Sequence, residues 1–183
     1  MFEKCLIQHC SPTLAGIKTA SLFAYGYCSE ELFLEEIRQC NMQLRNKGIV
    51  VSVMKKQDHR ALIYVYRKNK FSQMIHDSNV SEFLKNYGYS MDFEGRVLAT
   101  LKQRISCNVD FPHEIGVFLG YPLEDVIGFI KNAGKNCKCF GCWKVYCNEC
   151  EARRTFERYK KCTNIYMNLY QCGIPVTKLT VAA

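Results

Sequence analysis

Phe33, Ile37, Cys40 and Leu44 recur at helical spacing and form one apolar face. Ser29 stands where an N-cap belongs, and Glu30 and Glu31 suit the positive end of a helix. Arg45, Lys47 and Gly48 close that helix. Two runs rich in β-branched and aromatic residues follow, Ile49 to Met54 and Ala61 to Tyr66. The polar stretch Lys55 to Arg60 separates them, so the pattern predicts a hairpin. Upstream, Ser11-Pro12 opens a first helix to about Phe23, with serine as cap and proline in the first turn. Leu14, Ile17 and Phe23 are its core positions, and Ala15, Gly16, Ala20 and Ser21 permit close approach.

Downstream the pattern predicts short helices over 71–76 and 81–86. A longer helix runs from Phe93 to Ile105, with Phe93, Val97, Leu101 and Ile105 in line. Pro112 to Leu119 reads as helical, with a short strand as the alternative. Pro122 to Asn132 is a further helix, with Glu124 and Asp125 in its first turn and Gly134 past its end. Lys138 to Tyr146 reads as one strand. Asn148 with Glu151 resembles a capping box for a last helix to about Tyr170. Helices and strands mix without a regular βαβ series. The fold class expected is therefore α+β: a small antiparallel sheet with several surrounding helices in a single domain over 1–183.

Composition changes this picture little. Hydrophobic residues make up 48% and charged residues 23% of 183, which suits a globular chain and sets disorder aside. No apolar run approaches the roughly 18 residues of a membrane span. The opening segment lacks the apolar core of a secretory signal, so a cytoplasmic setting is expected. In a reducing cytosol the 12 cysteines stay free, which leaves packing, metal ligation or a reactive thiol. So cysteine-rich a chain also suits an anaerobic cell, because exposed thiolates oxidise. The net charge of +8 favours anionic partners, yet its basic clusters form no single stripe.

Several segments carry a resemblance. They are His9-Cys10-Ser11-Pro12-Thr13-Leu14-Ala15-Gly16, Phe111-Pro112-His113-Glu114-Ile115-Gly116, Gly120-Tyr121-Pro122, Trp143-Lys144-Val145-Tyr146 and Leu179-Thr180-Val181-Ala182-Ala183. Together they resemble a domain of unknown function found in anaerobic bacterial proteins. The resemblance covers almost the whole chain and implies one domain in a cytoplasmic setting. It brings no activity, cofactor or site residue.

The residues themselves suggest a thiol-dependent enzyme. Cys10 precedes the expected helix start, where unpaired amides favour a thiolate. His113 is the base expected for it, with Glu114 or Asp110 to orient the imidazole. Cysteine at a helix start with histidine far downstream is the chain order of papain-like enzymes, although the local signature of that family is absent. A tyrosine-phosphatase loop is excluded, because Gly16 stands where its arginine belongs. Packing of Cys10 against its neighbours is the competing reading.

The alternative is a non-catalytic metal- or partner-binding protein using the cysteines from 137 to 150. No cofactor is expected on the first reading. On the second, zinc or an iron–sulfur cluster would sit at Cys139, Cys142, Cys147 and Cys150, two C-x-x-C pairs. Only Trp143 to Tyr146 separates the pairs. Were that stretch extended at roughly 3.3 Å per residue, Cys142 and Cys147 would stand about 16 Å apart, too far to share an ion. A tight loop would remove that objection.

Residues 115–130 scan like a helix–turn–helix, but Glu124 and Asp125 in the second helix would repel phosphate, so nucleic acid is not expected. Lys18 is read as a lysine whose stem snorkels to solvent. Trp143 and Tyr146 are read as packing residues on a strand. The partner classes left are an anionic small molecule or a protein, with no membrane partner.

Overall fold

The computed structural model describes residues 2–107 and 110–182. Ala183, the last residue of the closing resemblance segment, lies outside them. The first helix, α1 (Phe2–Leu14), begins and ends earlier than the sequence suggests. Phe2, Leu6, Ile7, Cys10 and Leu14 all point into the core. That apolar stripe outweighs the Ser-Pro signal, and Ser11-Pro12 falls in the final turn. Pro12 withdraws one N–H from the ladder, while the Ser11 hydroxyl donates to the Ile7 carbonyl. Gly16, at φ 77°, then reverses the chain. Residues expected to continue the helix form strand β1 (Ala20–Gly26) instead.

Helix α2 (Glu30–Leu44) matches the sequence reading, with the Ser29 side chain accepting from the Leu32 amide. Strands β2 (Ile49–Gln57) and β3 (Arg60–Arg67) are the expected hairpin, longer on both sides. Their connection is only Asp58-His59, at φ 50° and 59°. Positive φ at both central residues is the turn that matches strand twist. β1 pairs antiparallel with β3 from Ala20↔Tyr66 to Gly26↔Arg60, giving the order β1-β3-β2. Central β3 is therefore hydrogen-bonded along both edges.

One face packs Phe23, Ile49, Val51, Ile63 and Val65 against α1 and α2. The other packs Ala20, Met54, Tyr64 and Tyr66 against α3 (Lys68–His76), α4 (Ser78–Asn86) and α5 (Glu94–Cys107). Each fully buried Ile, Val or Phe here contributes about 1.5–3 kcal/mol. Arg67 closes β3 and is almost wholly buried. Its Nε donates to the Thr13 carbonyl at 2.6 Å, and its Nη2 donates to Leu14 at 2.6 Å and Val181 at 2.8 Å. It thereby satisfies the carbonyl end of α1.

The remaining elements build a second region. Short α6 (Ile115–Phe118) and α7 (Leu123–Lys131) follow α5. The stretch read as one strand is a miniature hairpin, β4 (Cys139–Phe140) with β5 (Lys144–Val145). It leads into α8 (Glu149–Gln171), where the Asn148 side chain accepts from the Glu151 amide. Short α9 (Val176–Leu179) returns to the core. Helices and two small antiparallel sheets make this an α+β fold. No helix among the described residues is long and apolar enough to cross a membrane.

Candidate functional site

The segment from Phe111 to Tyr121 is pinned from below. The buried Tyr64 hydroxyl donates to the Phe118 carbonyl at 2.7 Å. Glu114 is 2% exposed, and its Oε1 accepts from Tyr89 Oη at 3.0 Å and from Arg104 Nε at 2.5 Å. Glu114 thus anchors this segment to α5 and to the loop before it. Gly116 brings α6 onto α7: a Cβ there would lie 2.8 Å from Val126 Cγ2 and 3.2 Å from the Tyr121 ring.

A second clamp joins α7 to the miniature hairpin. Asp125, 2% exposed, accepts from Trp143 Nε1 at 2.7 Å through Oδ2. Its Oδ1 accepts from the Tyr146 amide at 2.7 Å, the Cys147 amide at 2.9 Å and the Cys147 thiol at 3.1 Å. Burial alone would raise this carboxyl, but those donors outweigh it and hold Asp125 below its ordinary value. Trp143 is fixed further by stacking on Tyr121, with ring centroids 4.9 Å apart, and by an edge contact with Phe156 at 4.6 Å.

Between these two clamps lies a pocket of about 390 Å³. Five aromatic rings line it, from Phe111, Tyr121, Phe129, Phe140 and Trp143, together with His113 and Lys144. Phe140 is 81% exposed and Phe111 46%, so both present ring surface at the mouth. The His113 imidazole meets the Phe129 ring edge-on at 5.0 Å. Lys144 Nζ stands 5.8 Å over the same ring and donates to the Gly134 carbonyl at 2.7 Å. Three of the segments that carry the family resemblance, around His113, Tyr121 and Trp143, meet at this one cavity.

The catalytic set expected from the sequence is not assembled in this structure. Cys10 is fully buried in the latter half of α1, far from the unpaired amides that would stabilise a thiolate. Burial pushes its thiol well above the ordinary value, against the opposing pull of Lys18 and a hydrogen bond with Ser21. His113 is exposed in the pocket wall, and Glu114 turns inward to Arg104. No hydrogen bond joins Cys10, His113 and Glu114 to one another. Asp110 lies with His113 and Arg104 around a neighbouring, more polar cavity.

The cysteines from 137 to 150 are also spread out. Cys139 is buried against Val145 and Ala152, Cys147 is bound to Asp125, and Cys142 and Cys150 are exposed. Among the described residues no three His, Cys, Asp or Glu side chains converge as metal ligands would. Lys18 lies between α1 and β1, not on a helix, with its ammonium 5.5 Å over the Tyr121 ring and 5.8 Å over Tyr159. Burial lowers it, while nearby Cys142 and Cys10 act in the opposite direction. In the helix–turn–helix reading, α6 spans only four residues, and Asp125 and Val126 of the second helix are buried.

The roles of Asp125, Phe129, Phe140 and Lys144 escaped the sequence reading. The segments of the resemblance pointed at their neighbourhood. Nothing local could show that Asp125 would take a proton donor 18 residues away. No curated protein and no solved structure matches the chain. A family model described as protein of unknown function (DUF3793) matches residues 6–180, so the chain belongs to that family.

Proposed function

We propose that the protein is a non-catalytic binding domain whose working site is the aromatic pocket between α6, α7 and the β4–β5 hairpin. Its guest is a small, flat, largely apolar molecule. The observation that carries this reading is the convergence of five aromatic side chains on one cavity. Such concave, mostly apolar sites with few polar groups are the usual form of a ligand pocket, and about 390 Å³ is near the lower end of their size range. The walls are held by the Asp125 and Glu114 clamps, so little ordering remains to be done on binding. The enclosure of Cys10 speaks against a thiol enzyme built on that residue. Twelve cysteines suit a compartment that keeps thiols reduced, and we place the protein in the cytoplasm.

The test uses the single tryptophan as reporter. N-phenyl-1-naphthylamine, a neutral aromatic probe, is titrated into the protein while Trp143 emission is followed. Saturable one-to-one quenching supports the reading. Linear quenching without saturation, equal to that of free tryptophan, removes it.

A further inference from the structure

The two charges in the pocket wall differ in how far each is already engaged. Two formally charged side chains line it, Asp125 and Lys144. Both carboxylate oxygens of Asp125 are taken by the Trp143 indole, two backbone amides and the Cys147 thiol. That charge is spread over four donors held in place. Lys144 is exposed, and one of its three N–H groups goes to the neutral Gly134 carbonyl. Among the described residues no carboxylate pairs with it. The His113 imidazole shares the wall and adds a second nitrogen-bearing side chain beside Phe129. The net charge of +8 reinforces the bias toward anions at long range.

Resting on the binding reading above, we infer that the guest is a planar aromatic acid, its rings against Trp143, Phe129 and Phe140 and its oxyanion at the Lys144 ammonium. Flat rings answer the aromatic walls through stacked and edge-on contacts that a flexible alkyl chain cannot make. An oxyanion answers the free N–H groups of Lys144 with a charge-assisted hydrogen bond. The same chemistry, an aromatic ring system bearing carboxylate, sulfonate or phosphate, defines the class, and the wall selects by shape and charge together.

A matched pair of probes separates this inference from the reading beneath it. N-phenyl-1-naphthylamine and 8-anilino-1-naphthalenesulfonate share one ring skeleton and differ by the sulfonate. The inference predicts about tenfold tighter binding of the sulfonated probe at low salt, the worth of one charge-assisted contact. The preference should shrink as salt is raised. Lys144→Gln should bring the ratio of sulfonated-probe to neutral-probe affinity to about one, whatever its effect on the neutral probe alone, and Lys144→Arg should restore the ratio. Near-ultraviolet circular dichroism of each variant is compared with the parent, so that a lost fold is not read as a lost contact. Dodecanoate serves as a flexible anion and should displace the probe at least tenfold less well than 2-naphthoate. Equal affinity of the two probes, or a preference that survives in folded Lys144→Gln, overturns the inference and leaves the pocket standing. Equal displacement by dodecanoate overturns the aromatic assignment. Failure of both probes to bind removes the binding reading itself.

Discussion

The two halves of this molecule hold together by different means. Around β3 the sheet is sealed between helices, and stability comes from area: Ile63, Tyr64 and Val65 are wholly removed from solvent on alternate faces. Around α7 and the miniature hairpin the buried apolar cluster among the described residues is small: Cys139, Val145 and Ala152, with Trp143 and Phe156 packed against it and Val126 buried on α7. There one carboxylate gathers four donors and aromatic rings fix one another, so geometry is set by direction. The contrast is informative because a region that collapses fully leaves no room for a guest. A region braced by directed hydrogen bonds keeps a cavity open at its centre.

Breaking the first half should cost most. Ile63→Ala removes a fully buried side chain from the central strand and should lower stability by about 3–4 kcal/mol in urea unfolding. Trp143 emission in the folded state should not change. Asp125→Asn should cost less, about 2–3 kcal/mol, because an amide cannot accept from all four donors and leaves buried N–H groups unpaired. This variant should also loosen Trp143 and redshift its emission. The two losses differ in pH dependence. Asp125 titrates lower in the folded state than in the unfolded chain, where a carboxyl has a value of about 3.9. The stability it adds is therefore fully present above that value and is lost as pH falls through its lower folded-state value. The gap between parent and Asp125→Asn should narrow in acid below about pH 4, whereas the Ile63→Ala gap should hold.

A smaller effect concerns thiol access. With a small alkylating agent at neutral pH, the exposed Cys28, Cys107, Cys142, Cys150 and Cys172 should be modified in the folded protein. Cys10 should react only on unfolding, because its sulfur is sealed and its thiolate disfavoured. Peptide mapping by mass spectrometry reads this directly. Prompt labelling of Cys10 would reopen the thiol-enzyme reading. The smallest stability change belongs to Phe140→Ala, within about 0.5 kcal/mol since the ring is exposed. The same variant should weaken aromatic probe binding about fivefold, which separates a role in binding from one in folding.

Legibility in the sequence follows the same division. Helix α2, the β2–β3 hairpin and α8 were readable because their caps, periodicity and turn lie within a few residues of one another. Helix α1 was misplaced because Ser11-Pro12 carries a strong start signal, which the buried stripe Phe2, Leu6, Ile7, Cys10 overrides. β1 was read as helix because its small residues look permissive until β3 is there to pair with them. The miniature hairpin was read as one strand because Trp143 and Tyr146 keep alternating with Cys142 and Val145. The turn that breaks it rests on Gly141, where a Cβ would collide with the Phe156 ring of α8. The structure leaves Cys10, His113 and Glu114 in separate surroundings for a related reason. Chemical type alone joins them, whereas burial sent Cys10 inward and Arg104 claimed Glu114. The pocket could not be read locally either, since its rings come from segments that meet only in the folded chain.

The central claim is that aromatic guests enter beside Trp143. The most direct measurement follows the indole N–H of this sole tryptophan by nitrogen–proton correlation NMR, since its hydrogen bond to Asp125 gives one resolved signal at the pocket wall. On titration with 8-anilino-1-naphthalenesulfonate the account predicts a shift that saturates at one equivalent, with amides of β3 left in place. An indole signal that stays fixed while the probe binds elsewhere would contradict it.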